Sequence, residues 1–132
     1  MENKKFIERF SFNQESVIAF SEVSRDTNPI HLDKDFASKT IFKKPIIHGF
    51  LGGSIFSKII GNDFPGEGSI YLKQEMKFMA PMFVNTEYEA IVEIDTIDSE
   101  RGRAVLKTRV YDTAGKVIID GEALVKNSIF NL

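Results

Sequence analysis

The stretch from Gly49 to Gly61, GFLGGSIFSKIIG, limits most strongly what this chain folds into. Leu51, Ile55 and Ile59 recur at helical spacing, Phe50, Phe56 and Ile60 cover the adjoining faces, and Lys58 is the one charge in the run. A helix apolar on nearly every side has to be surrounded by protein. Gly52 and Gly53 in its middle cost about 1 kcal/mol each against alanine. Their presence points to a packing or ligand reason, and with Ser54 they let other backbone come close. The mostly apolar run from Ile46 to Ile60 is too short and too rich in glycine to cross a bilayer.

What surrounds such a helix is written further along. From residue 69 to 127 the sequence alternates with period two, the signature of half-buried strands. Ile70, Leu72, Met76 and Phe78 oppose Lys73, Glu75 and Lys77, and Ala80-Pro81 interrupts that run. Tyr88, Ala90, Val92 and Ile94 alternate with Glu87, Glu89, Glu93 and Asp95. After a turn at Ser99–Gly102, Ala104, Leu106, Thr108 and Val110 repeat the pattern. After a second turn at Asp112–Gly115, Val117, Ile119, Gly121, Ala123 and Val125 complete it. Three long strands joined by short turns predict an antiparallel meander with one wet face. The apolar helix lies on the dry face. The expected class is α+β, a curved antiparallel sheet around a long buried helix.

The first half, residues 1–62, is irregular and helical. Lys5 to Phe12 reads as a first strand. Asn13 caps a helix through Val17, Phe20, Ser21 and Ser24, ended before Pro29. Asp33 to Thr40 reads as a short surface helix, and Lys43-Lys44-Pro45 as an extended link. No linker or repeat divides the chain, so residues 1–132 are expected to form one domain. With 42% hydrophobic and 27% charged residues the composition is globular. The absence of cysteine removes disulfides, thiolate zinc sites and a thiol nucleophile. With 17 basic against 19 acidic residues, net charge −2, there is no strong basic field for nucleic acid. No signal peptide or membrane segment stands out, and a cytoplasmic protein is expected. Phe is heavily used, 12 residues with no Trp; Phe50, Phe56 and Phe78 read as core, with a pocket lining as the alternative.

The polar residues concentrate in Ser24–Asp33. Asp26 and His31 stand five apart across an Asn28-Pro29 turn, so carboxylate and imidazole converge on one point. Such a pair suits water activation, one group taking a proton while the other orients the water or returns a proton. A second feature is His48-Gly49 at the start of the buried helix. There, unpaired backbone N–H groups meet the positive end of the helix dipole. A glycine leaves its N–H open to a carbonyl oxygen, a contact worth about 3–4 kcal/mol to a transition state when well placed. His48 itself reads more readily as a packing or capping residue.

FSEVSRDTNPIHLDKDFA, then IIHGFLGGSIFSKIIG, then PGEGSIYLKQEMKFMAPMFVNTEYEA resemble the MaoC-like (R)-specific enoyl-CoA hydratases, the hydratase 2 family, of the hotdog fold. The likeness runs from Phe6 to Lys126, with D-x-N-P-x-H followed by H-G at a helix start as its specific core. The resemblance implies a single hotdog fold and syn hydration of a trans-2-enoyl thioester to an (R)-3-hydroxyacyl thioester, or the reverse dehydration. Carried over, Asp26 matches the base, His31 the second catalytic group and Gly49 the oxyanion donor. Asn28 matches a supporting amide and Ser57 a helix serine lining the site, with His48 beside them. The resemblance further implies a homodimer and no metal or redox cofactor, coenzyme A being part of the substrate. Whether His31 or water delivers the α-proton stays open.

Other readings compete with it. With acyl-carrier protein as the handle instead of coenzyme A, the enzyme is a dehydratase of fatty acid or polyketide synthesis. A thioesterase is disfavoured by the Asp-Asn-His cluster, and a non-catalytic acyl-thioester-binding module is the reading from another class. His31-x-Asp33 with His48 formally spells a two-histidine, one-carboxylate iron site, against which stands the buried helix in place of a many-stranded barrel. Lys39, Lys43, Lys44 and Lys58 are candidates for the phosphates of coenzyme A, with a solvated face as the simpler role. A lone sheet edge is an aggregation liability, which again favours a homodimer.

Overall fold

The computed structural model describes residues 4–132. The period-two segments form strands β2 (Ile70–Phe78), β3 (Tyr88–Asp98), β4 (Arg103–Asp112) and β5 (Val117–Lys126), preceded by β1 (Lys5–Phe10). They make one sheet in the order β1-β3-β4-β5-β2, every neighbouring pair antiparallel. Register shifts leave one extra residue in β2 (between Tyr71 and Lys73), in β3 (between Ile94 and Thr96) and in β5 (between Val117 and Ile119), and bend those strands. The wet face carries complementary charges in register, with Lys107 opposite both Glu93 and Glu122 and Arg109 Nε 3.0 Å from Asp120.

The helices are α1 (Gln14–Ser24), α2 (Pro29–Leu32), α3 (Lys34–Ser38) and α4 (Gly49–Asn62). Leu51, Ile55, Phe56, Ile59 and Ile60 of α4 share one core with Val92, Leu106, Val110, Ile119 and Val125 of the sheet. This is the hotdog arrangement expected of the sequence, the sheet curved around the long helix. Asn13 caps α1, its side chain accepting from the Ser16 N–H at 2.8 Å. Among the described residues, no helix is long and apolar enough to cross a membrane.

Four expectations need correction. First, α4 is not covered on all sides: Phe50, Ser54, Ser57 and Gly61 fall on one face at a 3.6-residue repeat, and all are exposed. Second, the backbone close approach at Gly52-Gly53 is made by side chains instead, the thioethers of Met82 and Met76 filling the space a Cβ would take. Third, β2 is a sheet edge beyond which no described residue forms a further strand, and Ile70, Leu72 and Phe78 are exposed. Of the three phenylalanines expected in the core only Phe56 is there; Phe50 is 68% and Phe78 50% exposed, edge to face at 6.2 Å. Fourth, the Asn28-Pro29 turn opens a short helix, α2, and the link after Thr40 turns at Lys43, whose φ is 68°, before running extended.

The tightest backbone approach is between β2 and β5. Gly121 pairs with Met76, and a Cβ on it would collide with the Glu75 carbonyl. Gly121→Ala is expected to lower stability by about 1–3 kcal/mol, as overpacking does. Urea unfolding checks this, as a lower midpoint with an unchanged slope.

Candidate functional site

The site is assembled at the end of α1. Arg25 adopts the left-handed conformation at φ 67° and stops the helix, its N–H donating to the Ser21 carbonyl. The chain then turns on its own side chains. The Asp26 N–H donates to Ser24 Oγ at 3.1 Å, the Asn28 N–H to Asp26 Oδ1 at 3.2 Å, and the Ile30 N–H to Asn28 Oδ1 at 3.1 Å. Asn28 thereby caps α2, with Pro29 preset at its first position. This one turn of helix swings His31 inward until it is only 8% exposed. Its Nδ1 lies 2.8 Å from the Ile46 carbonyl. A carbonyl only accepts, so Nδ1 carries the proton and Nε2 keeps a free lone pair.

His48 stands at the start of α4, 2% exposed, without capping the helix through its side chain. Its Nε2 is 3.0 Å from Ser21 Oγ and 3.2 Å from the Asp26 carbonyl. The carbonyl again fixes the tautomer: Nε2 donates, and Nδ1, which has no partner, is left as a buried acceptor. The opposite tautomer would bury an unpaired N–H, which is rarer. The ring stacks on His31 with centroids 3.8 Å apart and packs on Phe20 at 4.9 Å. Burial holds the His48 pKa below its ordinary value; the bond to the Asp26 carbonyl opposes that, and the neighbouring His31 reinforces it. His48 is therefore a neutral tether joining α1, the Asp26 turn and the start of α4.

Gly49 opens α4 beside it. Among the described residues none accepts from its N–H, which stands at the positive end of the helix dipole. A Cβ at this position would lie 2.8 Å from the Phe78 ring, so only glycine fits without displacing that ring. Asp26, His48 and Gly49 share the wall of a cavity of about 680 Å³. Ile47, Met82 and Ile119 form its buried floor, and Phe50, Phe78 and Met79 its exposed mouth. Asp26 and Gly49 stand in the wall of this apolar cavity and His31 outside it, stacked on His48 of that wall; the carboxylate, an imidazole with a free lone pair and the dipole-backed N–H can together hold a water and stabilise charge growing on a carbonyl oxygen.

The ligand atoms of Asp26, His31 and His48 all lie within 4.8 Å of one another, so the expected convergence of Asp26 and His31 is present. The triad spelled with Asp33 is not: Asp33 caps α3, accepting from Asp35 and Phe36. Asp26 takes its place in the only cluster of this kind among the described residues. The two imidazoles there are stacked 28° from parallel, which sets their in-plane lone pairs side by side instead of aiming them at one ion. Asn28 acts through the backbone of the turn and does not line the cavity. Ser57 is not in the cavity wall either: eight residues past Gly49, it lies about 12 Å along the helix, on the exposed face. Lys58 is engaged by Glu8 and Asp63 at 2.6 and 2.9 Å, and Lys44 sits over the Phe83 ring at 4.3 Å. Ser21, Met82 and Ile119 belong to the site region and were not foreseen there. Ser21 left one signal, a hydroxyl one turn after Val17 on the buried side of its helix.

Comparison with known proteins bears on the family and the fold. The family model for the MaoC like domain matches residues 2–116. An (R)-specific enoyl-CoA hydratase of Aeromonas caviae is 44% identical over 115 residues, 87% of this chain and 86% of that protein. A mitochondrial 3-hydroxyacyl-[acyl-carrier-protein] dehydratase of Arabidopsis thaliana is 33% identical over 115 residues, 85% of this chain and 68% of that protein. The solved structure of an (R)-hydratase from A. caviae involved in PHA biosynthesis superposes with a TM-score of 0.92 at 41% identity, covering 96% of this chain and 97% of that one.

A folded-state pKa below the unfolded one ties His48 to stability. As pH falls below about 6.5 the unfolded chain takes up the proton first. The stability present above that pH is then lost down to the folded value, at no more than about 1.4 kcal/mol per pH unit. Urea unfolding of the parent and His48→Gln over a pH series is expected to show a steeper acid-side loss in the parent. Parallel curves would count against a neutral buried His48.

Proposed function

The chain belongs to the MaoC-like family, and from that premise we propose that it is an (R)-specific enoyl-CoA hydratase, a hydro-lyase adding water syn across a trans-2-enoyl thioester. The observation that carries this reading is the convergence of the Asp26 carboxylate and the His31 imidazole, with Asp26 in the same cavity wall as the open Gly49 N–H. Water held between Asp26 and His31 attacks the β-carbon as Asp26 takes its proton. The His31 Nε2 lone pair accepts the water's other hydrogen and fixes its aim. Electron density moves onto the thioester oxygen, where the Gly49 N–H and the α4 dipole meet it. The α-carbon then takes up a proton, the one Asp26 accepted being passed on through His31 or a water so that the carboxylate is restored, giving the (R)-3-hydroxyacyl thioester. His48, bonded to the Asp26 carbonyl and stacked on His31, positions both groups.

The reaction needs no metal in this reading, because water is activated by the carboxylate and the stacked histidines do not aim at a common ion. Prolonged chelation is expected to leave the rate unchanged, and stoichiometric iron in the purified enzyme would overturn the point. A dehydratase acting on acyl-carrier protein is the second reading, favoured by the A. thaliana relative; rates on matched coenzyme A and carrier-protein thioesters decide between the handles. Coenzyme A chemistry also favours a cytoplasmic place in fatty-acid metabolism.

The working unit in this proposal is a homodimer. The exposed α4 face with Phe50, and the bare β2 edge with Ile70, Leu72 and Phe78, form adjoining apolar and unpaired surface that a second copy would cover. Ser57 lies on that covered face. Sedimentation is expected to give a dimer, and an active monomer at assay concentration would refute it.

Asp26→Asn and His31→Gln are each expected to lower kcat for hydration of trans-2-butenoyl-CoA by at least ~100-fold, as loss of a general acid–base group does, with the circular dichroism of the fold retained. The parent is expected to yield the (R)-product and release no thiol. An (S)-product sinks the assignment, thiol release indicates a thioesterase, full hydration in both variants removes Asp26 and His31 from the chemistry, and thioester binding without hydration in the parent indicates a non-catalytic binding module.

A further inference from the structure

The cavity grades from exposed to buried. Phe50, Phe78 and Met79 at its mouth are open to solvent, whereas Ile47, Met82 and Ile119 at its floor are almost wholly enclosed. A thioester substrate is polar and large at its handle and apolar at its acyl end. With the thioester oxygen at Gly49, the handle belongs at the mouth and the acyl tail runs toward the floor. Gly52 is three residues past Gly49, about 4.5 Å further along the helix. It lacks the side chain that would fill the space there, and the Met82 thioether fills it instead. A Cβ on Gly52 would stand 2.5 Å from Met82 Sδ and 3.5 Å from Ile119 Cδ1. The Met82 backbone is pinned, its carbonyl accepting from the Ile47 N–H at 2.8 Å, while its side chain has the unbranched flexibility of methionine.

We propose that Met82, seated in the notch left by Gly52, is the stop that sets how long an acyl chain the enzyme accepts. This rests on the hydratase reading and adds to it the residue pair that determines specificity. The pair makes opposite demands on two substitutions. Met82→Ala removes the stop and deepens the floor. Gly52→Ala fills the notch, drives the thioether into the cavity and makes it shallower. Because Gly52→Ala acts only through Met82, its effect on chain length must vanish when Met82 is already alanine, a non-additivity that a double-mutant cycle reads directly.

The test is kcat/KM on trans-2-enoyl-CoA substrates of increasing length, from butenoyl to dodecenoyl, each normalised to butenoyl in the same variant. Met82→Ala is expected to raise the relative value for octenoyl by at least ~10-fold, the scale of a methylene's fit in an apolar pocket. Gly52→Ala is expected to lower the relative value for hexenoyl by at least ~10-fold. The double variant is expected to match Met82→Ala. Met82→Val, a smaller truncation, is expected to shift preference in the same direction and carries the test if the alanine variant loses its fold. Ratios within about twofold of the parent, shifts of the same sign in both single variants, or a Gly52→Ala effect that survives in the double variant would each overturn the stop while leaving the hydratase reading in place. Absence of hydration in the parent on every chain length would take down both.

Discussion

Everything in this molecule depends on how closely the start of α4 lies against the segment from Met76 to Met82. Gly49, Gly52 and Gly53 each face a bulky side chain from that segment: Phe78, Met82 and Met76 in turn. The three glycines weaken the helix, by about 1 kcal/mol each, and in return no Cβ holds the helix away from its neighbours. Helix formation is completed by burial, since Leu51, Ile55, Phe56, Ile59 and Ile60 all go into the core. The consequence is positional. The first free N–H of α4 ends up at the wall of a cavity whose other side is made by the Asp26 turn and whose floor is made by Met82.

Charge in that cavity is kept low. Two stacked imidazoles at 3.8 Å repel each other if both are protonated, and burial already disfavours charge on His48. Each ring has one nitrogen committed to a main-chain carbonyl, His31 to Ile46 and His48 to Asp26, so both tautomers are set by the backbone. Each ring thereby keeps its other nitrogen out of the main-chain bonding, Nε2 in His31 and Nδ1 in His48, and the difference comes from which carbonyl each ring meets.

Much of this was legible in the chain itself. The alternation of β3, β4 and β5 and the apolar run of α4 follow from periods of two and 3.6, which tertiary contacts here reinforce. Asp26, His31 and Gly49 were legible because turn chemistry and helix-start chemistry are local: Asn28, Pro29 and the Asp26 carboxylate build the bend from their own backbone bonds. What could not be read was anything fixed by contact across long separations. That Ser21 meets His48, that Met82 fills the space at Gly52, and that Phe78 rather than another residue covers Gly49 are results of packing. β2 misled for the reverse reason. Its alternation is that of a half-buried strand, but its place at the sheet edge leaves Ile70, Leu72 and Phe78 exposed among the described residues.

The same conflict runs through α4. Its composition calls for cover on nearly every side, yet Phe50, Ser54, Ser57 and Gly61 are bare. Three of these four are small, which suits close approach by another helix better than it suits water. Ser57, which the family resemblance draws toward the site, sits about 12 Å from Gly49 along the helix on that bare face. None of the described elements covers this face, each having its place in the sheet or around the Asp26 turn. A second copy laid against α4 and β2 removes all three tensions at once: it buries Phe50 and Phe78, it pairs the free edge of β2, and it gives Ser57 a protein environment. The mouth of the cavity, framed by Phe50 and Phe78, would then be shaped by the contact between copies, while its floor at Met82 remains the property of one chain.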